Sequence, residues 1–392
     1  MSQADAKFLE TLASCAETLE QKYFVSSEIF AAEQAKIFSK QWLLIGHQSQ
    51  IPKAGDYFVQ EVVDESLIVI RDKSGEIHGF FNVCRHRGTR LCENGNGHLS
   101  AAIQCPYHAW TYGLDGRLIG APHMDEVPSF DKADYSLHPV NLGLWEGFIF
   151  VNLADTKRDG WISLQDWFTP LNGKFSHWNM SILRSAKRIE YDVKANWKLV
   201  FENYSECYHC PGVHPMLSKI SPYDSAENDL AEGPFLGGFM RITKGNSLTM
   251  SGNACALAIR AANNELATAS PSDGGPDQDY GRVWYYSIFP NMLLSMHPEY
   301  VMVHQLWPQS PERTLIVCDW FFHPDAAGVT DPGYRFDPAD AIEFWDMTNK
   351  QDWHVCELSQ QGIASRAYQP GPYSPRESIP AAWDREYLRF ME

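Results

Sequence analysis

Two short arms constrain this chain more than any other feature. Cys84-Arg-His86 and Cys105-Pro-Tyr-His108 each offer one thiol and one imidazole, and eighteen residues separate them. Zinc fingers usually place two cysteines on one arm and two histidines on the other. Here each arm is mixed. That suits a [2Fe–2S] centre in which Cys84 and Cys105 hold one iron and His86 and His108 the other. Spacing alone leaves a structural zinc site open as the alternative. Gly88, the turn Glu93-Asn-Gly-Asn-Gly97 and Pro106 give the arms loop character, and Trp110 and Tyr112 are placed to shield them. Cys92 lies between the arms with no histidine partner and reads as a packed thiol.

A second cluster follows in Trp197-Lys-Leu-Val-Phe-Glu-Asn-Tyr-Ser-Glu-Cys-Tyr-His-Cys-Pro-Gly-Val-His214. On an unbroken helix His209 and His214 would diverge by about 140°. Pro211 and Gly212 break the path between them, so both imidazoles can reach one centre. Two histidines need a carboxylate to complete the facial triad of a non-haem Fe(II) site. Residues 338–359 read as an amphipathic helix. One face carries Trp345, Thr348, Asp352, Val355 and Cys356, and the other Glu343, Asp346, Lys350 and Glu357. Asp352 is an acid on an otherwise apolar stripe, and a buried acid needs a metal or a partner. Periodicity alone leaves a capped or ion-paired core aspartate equally open. Glu206 precedes His209 by three residues, so on a helix the two face the same way. It could orient a metal ligand or accept from a cluster histidine; a solvated surface glutamate is the alternative.

The chain has 392 residues, enough for two or three domains. From 45 to 155, β-branched and aromatic runs alternate with Gly and Asp turns, which predicts a small all-β domain. Asp155–Gly160 is a polar linker candidate. Beyond it, strands are expected at 188–195, 282–307 and 313–322, helices at 196–210 and 338–359, and loops at 269–281 and 368–380. Residues 26–42 read as a helix capped by Ser26 or Ser27. The fold class is therefore α+β. Its charge, 32 Lys and Arg against 49 Asp and Glu, is −17, which argues against nucleic acid or an anionic membrane as main partner. No apolar run of about 18 residues exists. No secretory signal is evident, and nine dispersed cysteines do not form a disulfide framework, so a reducing cytoplasm is expected.

Together these residues resemble the oxygenase α-subunit of a Rieske non-haem iron oxygenase. The resemblance runs through Cys84, His86, Cys105 and His108, then Gly147-Phe-Ile-Phe-Val-Asn-Leu153, the Asn203–His214 run and Asn349-Lys-Gln-Asp352. It implies a Rieske domain over 45–155 and a helix-grip catalytic domain with an antiparallel sheet over 156–392. A helical segment over 1–44 would pack on the catalytic part. It implies a [2Fe–2S] cluster on Cys84, His86, Cys105 and His108, a mononuclear iron on His209, His214 and Asp352, and O₂ as co-substrate. Glu206 would bridge a cluster histidine to an iron-ligand histidine across subunits of a homotrimer, and Asn203 is counted with it among the site residues. The run Phe-Glu-Asn-Tyr-Ser-Glu-Cys-Tyr-His-Cys-Pro is more similar to the glycine betaine, stachydrine and carnitine monooxygenase branch than to ring hydroxylases, many of which carry Asp at the bridge. The expected reaction is N-demethylation or hydroxylation of a small quaternary ammonium compound, with an aromatic acid or ring as the competing substrate.

No Gly-x-Gly-x-x-Gly or further four-cysteine motif appears, so NAD(P)H electrons are expected through a separate reductase carrying flavin and a ferredoxin-type centre. Arg85, Arg87 and Arg90 form a docking candidate, unless they pair with local acids. A cationic substrate calls for ring faces. The candidates are Tyr204, Tyr208, Phe235, Phe239, Trp284, Tyr286, Phe289, Trp307 and Trp320, with Arg241 or Arg260 for a carboxylate.

Overall fold

The computed structural model describes residues 16–93, 95–245, 247–256, 258–259, 281–324 and 336–392. The chain divides into two compact units: 37–174, and the segment up to Lys36 together with Phe175–Glu392.

The 37–174 unit is all-β at its centre. Its strands are β1 (Leu43–His47), β2 (Asp56–Val62), β3 (Glu65–Arg71), β4 (Ile77–Phe81), β5 (Asn96–His98), β6 (Ala102–Gln104), β7 (Thr111–Gly113), β8 (Leu118–Gly120), β9 (Asn141–Trp145) and β10 (Phe148–Asn152). They form three sheets in the orders β1-β10-β9, β4-β3-β2-β5 and β6-β7-β8. Ile68, Ile70 and Phe80 share a core with Cys84, Cys105, Trp110 and Tyr112, so the two cysteine arms grow directly from packed strands. The divisions fall at 36/37 and 174/175, whereas the sequence placed them at 44/45 and 155/156. Two contacts account for this. Strand β1 pairs with β10, Leu43 opposite Val151, and Trp145 stacks on Phe168 with ring centres 4.3 Å apart.

The larger unit holds α1 (Ser27–Glu33), β11 (Arg184–Val193), α2 (Trp197–Tyr204), α3 (Cys210–Val213), β12 (Glu227–Leu230), β13 (Phe235–Arg241), β14 (Arg282–Ile288), β15 (Met292–Met296), β16 (Tyr300–Ser310), β17 (Arg313–Phe322), α4 (Pro338–Ile363) and α5 (Ser378–Met391). One antiparallel sheet runs β11-β17-β16-β15-β14-β13-β12. The long helix α4 packs against β11 and α2, giving the helix-grip arrangement. Its buried stripe is Ala341, Phe344, Thr348, Asn349, Trp353, Cys356, Gln360 and Ile363, a 3.6-residue period. Ser26 caps α1 by accepting from the Ile29 N–H at 3.3 Å. Glu33 at the other end of α1 is buried and binds Lys198, Trp197 and Tyr387.

Helix α2 ends at Tyr204, where the sequence suggested continuation to 210. There the Ser205 hydroxyl donates back to the Phe201 carbonyl and Glu206 takes the N–H groups of Tyr208 and His209, while Pro211 opens the next short helix, α3. Of the loop expected at 269–281, all but Gly281 lies outside the described residues, as does Arg260. The loop expected at 368–380 is shorter, because α5 begins at Ser378. Among the described residues, no helix is long and apolar enough to cross a membrane.

Candidate metal centres

In the smaller unit the first arm closes tightly. The Gly88 N–H donates to the Cys84 carbonyl at 3.0 Å, and Gly88 has φ of +73°, which glycine adopts without strain. The second arm mirrors it, with the Ala109 N–H donating to the Cys105 carbonyl at 3.2 Å. Cys84 and Cys105 are buried while His86 is exposed and His108 half-buried, so sulfurs face inward and imidazoles outward. The imidazoles meet edge to face with centres 4.7 Å apart, and His86 stacks on Trp110 at 4.8 Å. Burial and then His108 hold the His86 imidazole below its ordinary pKa, which favours the neutral ligand form.

Two side chains support this arm: Tyr112, which the sequence placed as a shield, and Asn82, which no sequence pattern marks. The Tyr112 hydroxyl lies 3.3 Å from Cys84 Sγ and accepts from the Arg85 N–H at 3.0 Å. Asn82 clamps the arm by accepting from the Leu91 and Cys92 N–H groups and donating to the Cys92 carbonyl. Cys92 is a packed thiol, pushed by burial up to about 11. Of the three arginines, Arg90 pairs with Glu61, Arg85 donates to the Ser136 carbonyl, and Arg87 lies over the Tyr107 ring.

In the larger unit, the break after α2 turns Glu206 back under His209. One Glu206 carboxylate oxygen accepts from the Tyr208 and His209 N–H groups, and the other bonds His209 Nδ1. The three-residue spacing thus works through an irregular turn where a helix was expected. His214 follows the single turn α3 and is buried. Asp352 comes from α4. His214 Nε2 lies 2.8 Å from Asp352 Oδ1, and His209 Nε2 lies 3.2 Å from both His214 Nε2 and Asp352 Oδ1.

The donor chemistry tests whether a cation fits. His214 Nδ1 sits 2.8 Å from Gln351 Oε1, a carbonyl oxygen that only accepts, so Nδ1 carries the proton. A neutral His214 then aims its Nε2 lone pair at a carboxylate oxygen. Two acceptors at that distance repel unless the imidazole is protonated or a cation joins them. His209 sits between the same two demands. Burial opposes its charged form, but hydrogen bonds to Asp352 and Glu206 push it up to about 10. The place therefore stabilises positive charge. Separations near 3 Å are also those of donors on adjacent corners of an octahedron with bonds of about 2.1 Å. The residues fit a divalent metal held by two imidazoles and one carboxylate.

A pocket opens on these three side chains. Its wall includes Asn203, Tyr204, Glu206, Met240, Val283, Tyr285, Ser295, Trp345 and Thr348. Of the nine aromatic candidates only Tyr204 lines it. Tyr208 is exposed, while Phe235, Phe289, Trp307 and Trp320 belong to the core. On β14 the sequence pointed to Trp284 and Tyr286, but the opposite face, Val283 and Tyr285, meets the pocket. Arg241 pairs with Glu227 and does not line it.

Residues 180–392 match the family model for the ring hydroxylating alpha subunit (catalytic domain), and residues 41–131 match the Rieske [2Fe-2S] domain. The chain belongs to the Rieske-type ring-hydroxylating oxygenase α-subunit family. Members carry the cluster and the mononuclear iron that the two donor sets fit, and the enzyme is an oxidoreductase that incorporates O₂. This α-subunit is 33% identical to the glycine betaine monooxygenase oxygenase subunit of Chromohalobacter salexigens, over 91% of this chain and 82% of the relative. It is 30% identical to the carnitine monooxygenase oxygenase subunit of Acinetobacter pittii, over 90% and 86%. A solved quaternary ammonium Rieske monooxygenase, described in connection with carnitine oxidation and inter-subunit electron transfer, shares the fold with a TM-score of 0.78 at 24% identity, covering 96% of each chain.

Proposed function

We propose that this chain is the oxygenase component of a cytoplasmic Rieske monooxygenase that oxidises a small quaternary ammonium or betaine-like compound, by N-demethylation or hydroxylation. NAD(P)H electrons reach it through a separate reductase. The observation that carries the reading is the pocket wall. Tyr204, Tyr285 and Trp345 surround a space that also holds Asp352 and Glu206, and no Lys or Arg is among its described lining residues. Ring faces favour a cationic head group. An aromatic acid would find no Lys or Arg among the described lining residues to receive its carboxylate. The identities to betaine and carnitine oxygenase subunits point the same way.

In this reading Cys84, His86, Cys105 and His108 hold the cluster, and His209, His214 and Asp352 the iron. When bound, the cluster supplies electrons and the iron activates O₂ for attack on a C–H bond. The chain's own groups set the stage. Glu206 and Gln351 fix each imidazole with Nδ1 occupied and Nε2 presented. Tyr204, Tyr285 and Trp345 orient the head group, and Met240, Val283 and Leu248 keep that end of the pocket apolar. Glu206, already on His209, links it to a cluster histidine of a neighbouring subunit in a homotrimer. Asn203 lines the wall beside it.

The test is an assay of the purified protein with a promiscuous reductase, NADH and a panel of betaines and aromatic acids. Substrate-dependent O₂ uptake, with formaldehyde from an N-methyl donor, is expected for at least one betaine. Coupling with an aromatic acid and with no betaine would reverse the reading.

A further inference from the structure

The two imidazoles of the larger unit serve a second donor as well as Asp352. Cys210 Sγ lies 3.9 Å from His209 Nε2, and the donor atoms of His209, Cys210 and His214 all fall within 4.8 Å of one another. Cys210 is buried, lines the same pocket, and follows His209 directly in sequence. In a tetrahedral zinc site with bonds of about 2.1 Å to nitrogen and about 2.3 Å to sulfur, such donors stand roughly 3.4–3.6 Å apart. Asp352 is not part of that set of three, so the sulfur must swing towards the carboxylate before all four donors can share one ion.

We propose that Cys210 is a latent fourth metal donor, which leaves the site open around iron but closes it around a thiophilic divalent ion such as zinc. The assignment rests on His209, His214 and Asp352 holding the mononuclear metal. Closure forms one metal–sulfur bond, and the thiol proton leaves to solvent without any change of oxidation state. Charge favours it: one carboxylate and one thiolate neutralise a divalent ion, which suits a buried site where net charge is costly. Ligand softness selects the metal, because thiolate prefers zinc while the imidazole and carboxylate set suits ferrous iron. Four protein donors would also leave no open position, the arrangement of structural zinc sites and not of catalytic ones. Cys207 is the other thiol at hand; its sulfur lies 3.1 Å from Met240 Sδ and also bonds the Cys210 thiol, which is why it is the control in the test.

The experiment uses the full chain with its cluster loaded, iron-depleted at the mononuclear site and reloaded with zinc under reducing conditions. Zinc X-ray absorption is measured on wild type, Cys210→Ser and Cys207→Ser. Wild type and Cys207→Ser should each show one sulfur at about 2.3 Å beside nitrogen and oxygen donors. Cys210→Ser should lose that sulfur and weaken zinc binding about tenfold or more. A nitrogen and oxygen shell alone in wild type, or a sulfur that survives Cys210→Ser, would overturn the proposal while leaving the three-residue site standing. Failure of wild type to take up one zinc per chain would instead overturn the three-residue site itself, and Cys210's role with it.

Discussion

At the scale of single residues, the two histidines of the larger unit are held by unlike partners. His209 Nδ1 meets a carboxylate, and His214 Nδ1 meets a neutral amide. Glu206→Gln keeps an acceptor for Nδ1 but removes the charge. Iron and cluster content should therefore be retained, while cluster reoxidation in a single turnover slows by about tenfold or more. Unchanged reoxidation would remove Glu206 from the bridging role. Gln351→Leu deletes the acceptor on His214 without touching a metal donor. It should weaken iron retention against a chelator by about 10–100-fold, since groups that orient a metal-binding histidine typically contribute that much. Sequence patterns expose the donors and, by its three-residue spacing, Glu206, but not Gln351. His209, His214 and Asp352 stand out because two imidazoles around Pro-Gly, and an acid on an apolar stripe, are unusual. Gln351 is one carboxamide on a helix, and nothing in composition or spacing marks it.

At the scale of elements, the buried Glu33 joins α1 to α2 and α5. It accepts from Trp197 Nε1 at 2.9 Å, from the Tyr387 hydroxyl at 2.6 Å, and from the ammonium of Lys198. Glu33→Gln strands that ammonium in the core and should cost about 3–5 kcal/mol in chemical denaturation. A pair of acids sits between α2 and α5. Glu202 and Asp384 face each other as carboxyls. Burial pushes Asp384 up to about 7, and burial with Asp384 close by raises Glu202 well above the usual range. The folded state thus keeps a proton that the unfolded chain releases near pH 4. Stability from this pair is greatest in acid and falls as pH rises from about 4 towards 7. Asp384→Asn should flatten that fall, seen as a smaller Tm loss between pH 5 and pH 7 than in wild type. Elements themselves were readable wherever periodicity was strong, as in α4 and β17. They were misread where a distant partner decides, as when β1 joins β10, or where side chains take over the backbone groups, as Ser205 and Glu206 do after α2.

At the scale of the whole molecule, the prediction concerns which subunit serves which. If Glu206 bridges to a neighbour, a chain lacking the cluster (Cys84→Ser) and a chain lacking the iron (Asp352→Ala) should each be inactive alone. Co-expressed in one cell, they should form mixed assemblies that recover a measurable part of wild-type O₂ uptake. No recovery, with mixed assemblies demonstrated by mass, would place electron transfer within each chain. The surplus of 17 negative charges accords with a cationic substrate.

The alternation along β14 has a practical side for anyone who wants to retrain the enzyme. Positions 283 and 285 meet the pocket, whereas Tyr286 is fully buried and stacks with Trp284. A mutant library confined to the odd positions would explore new substrate shapes. The same diversity spent on Tyr286 would be lost to chains that no longer hold together.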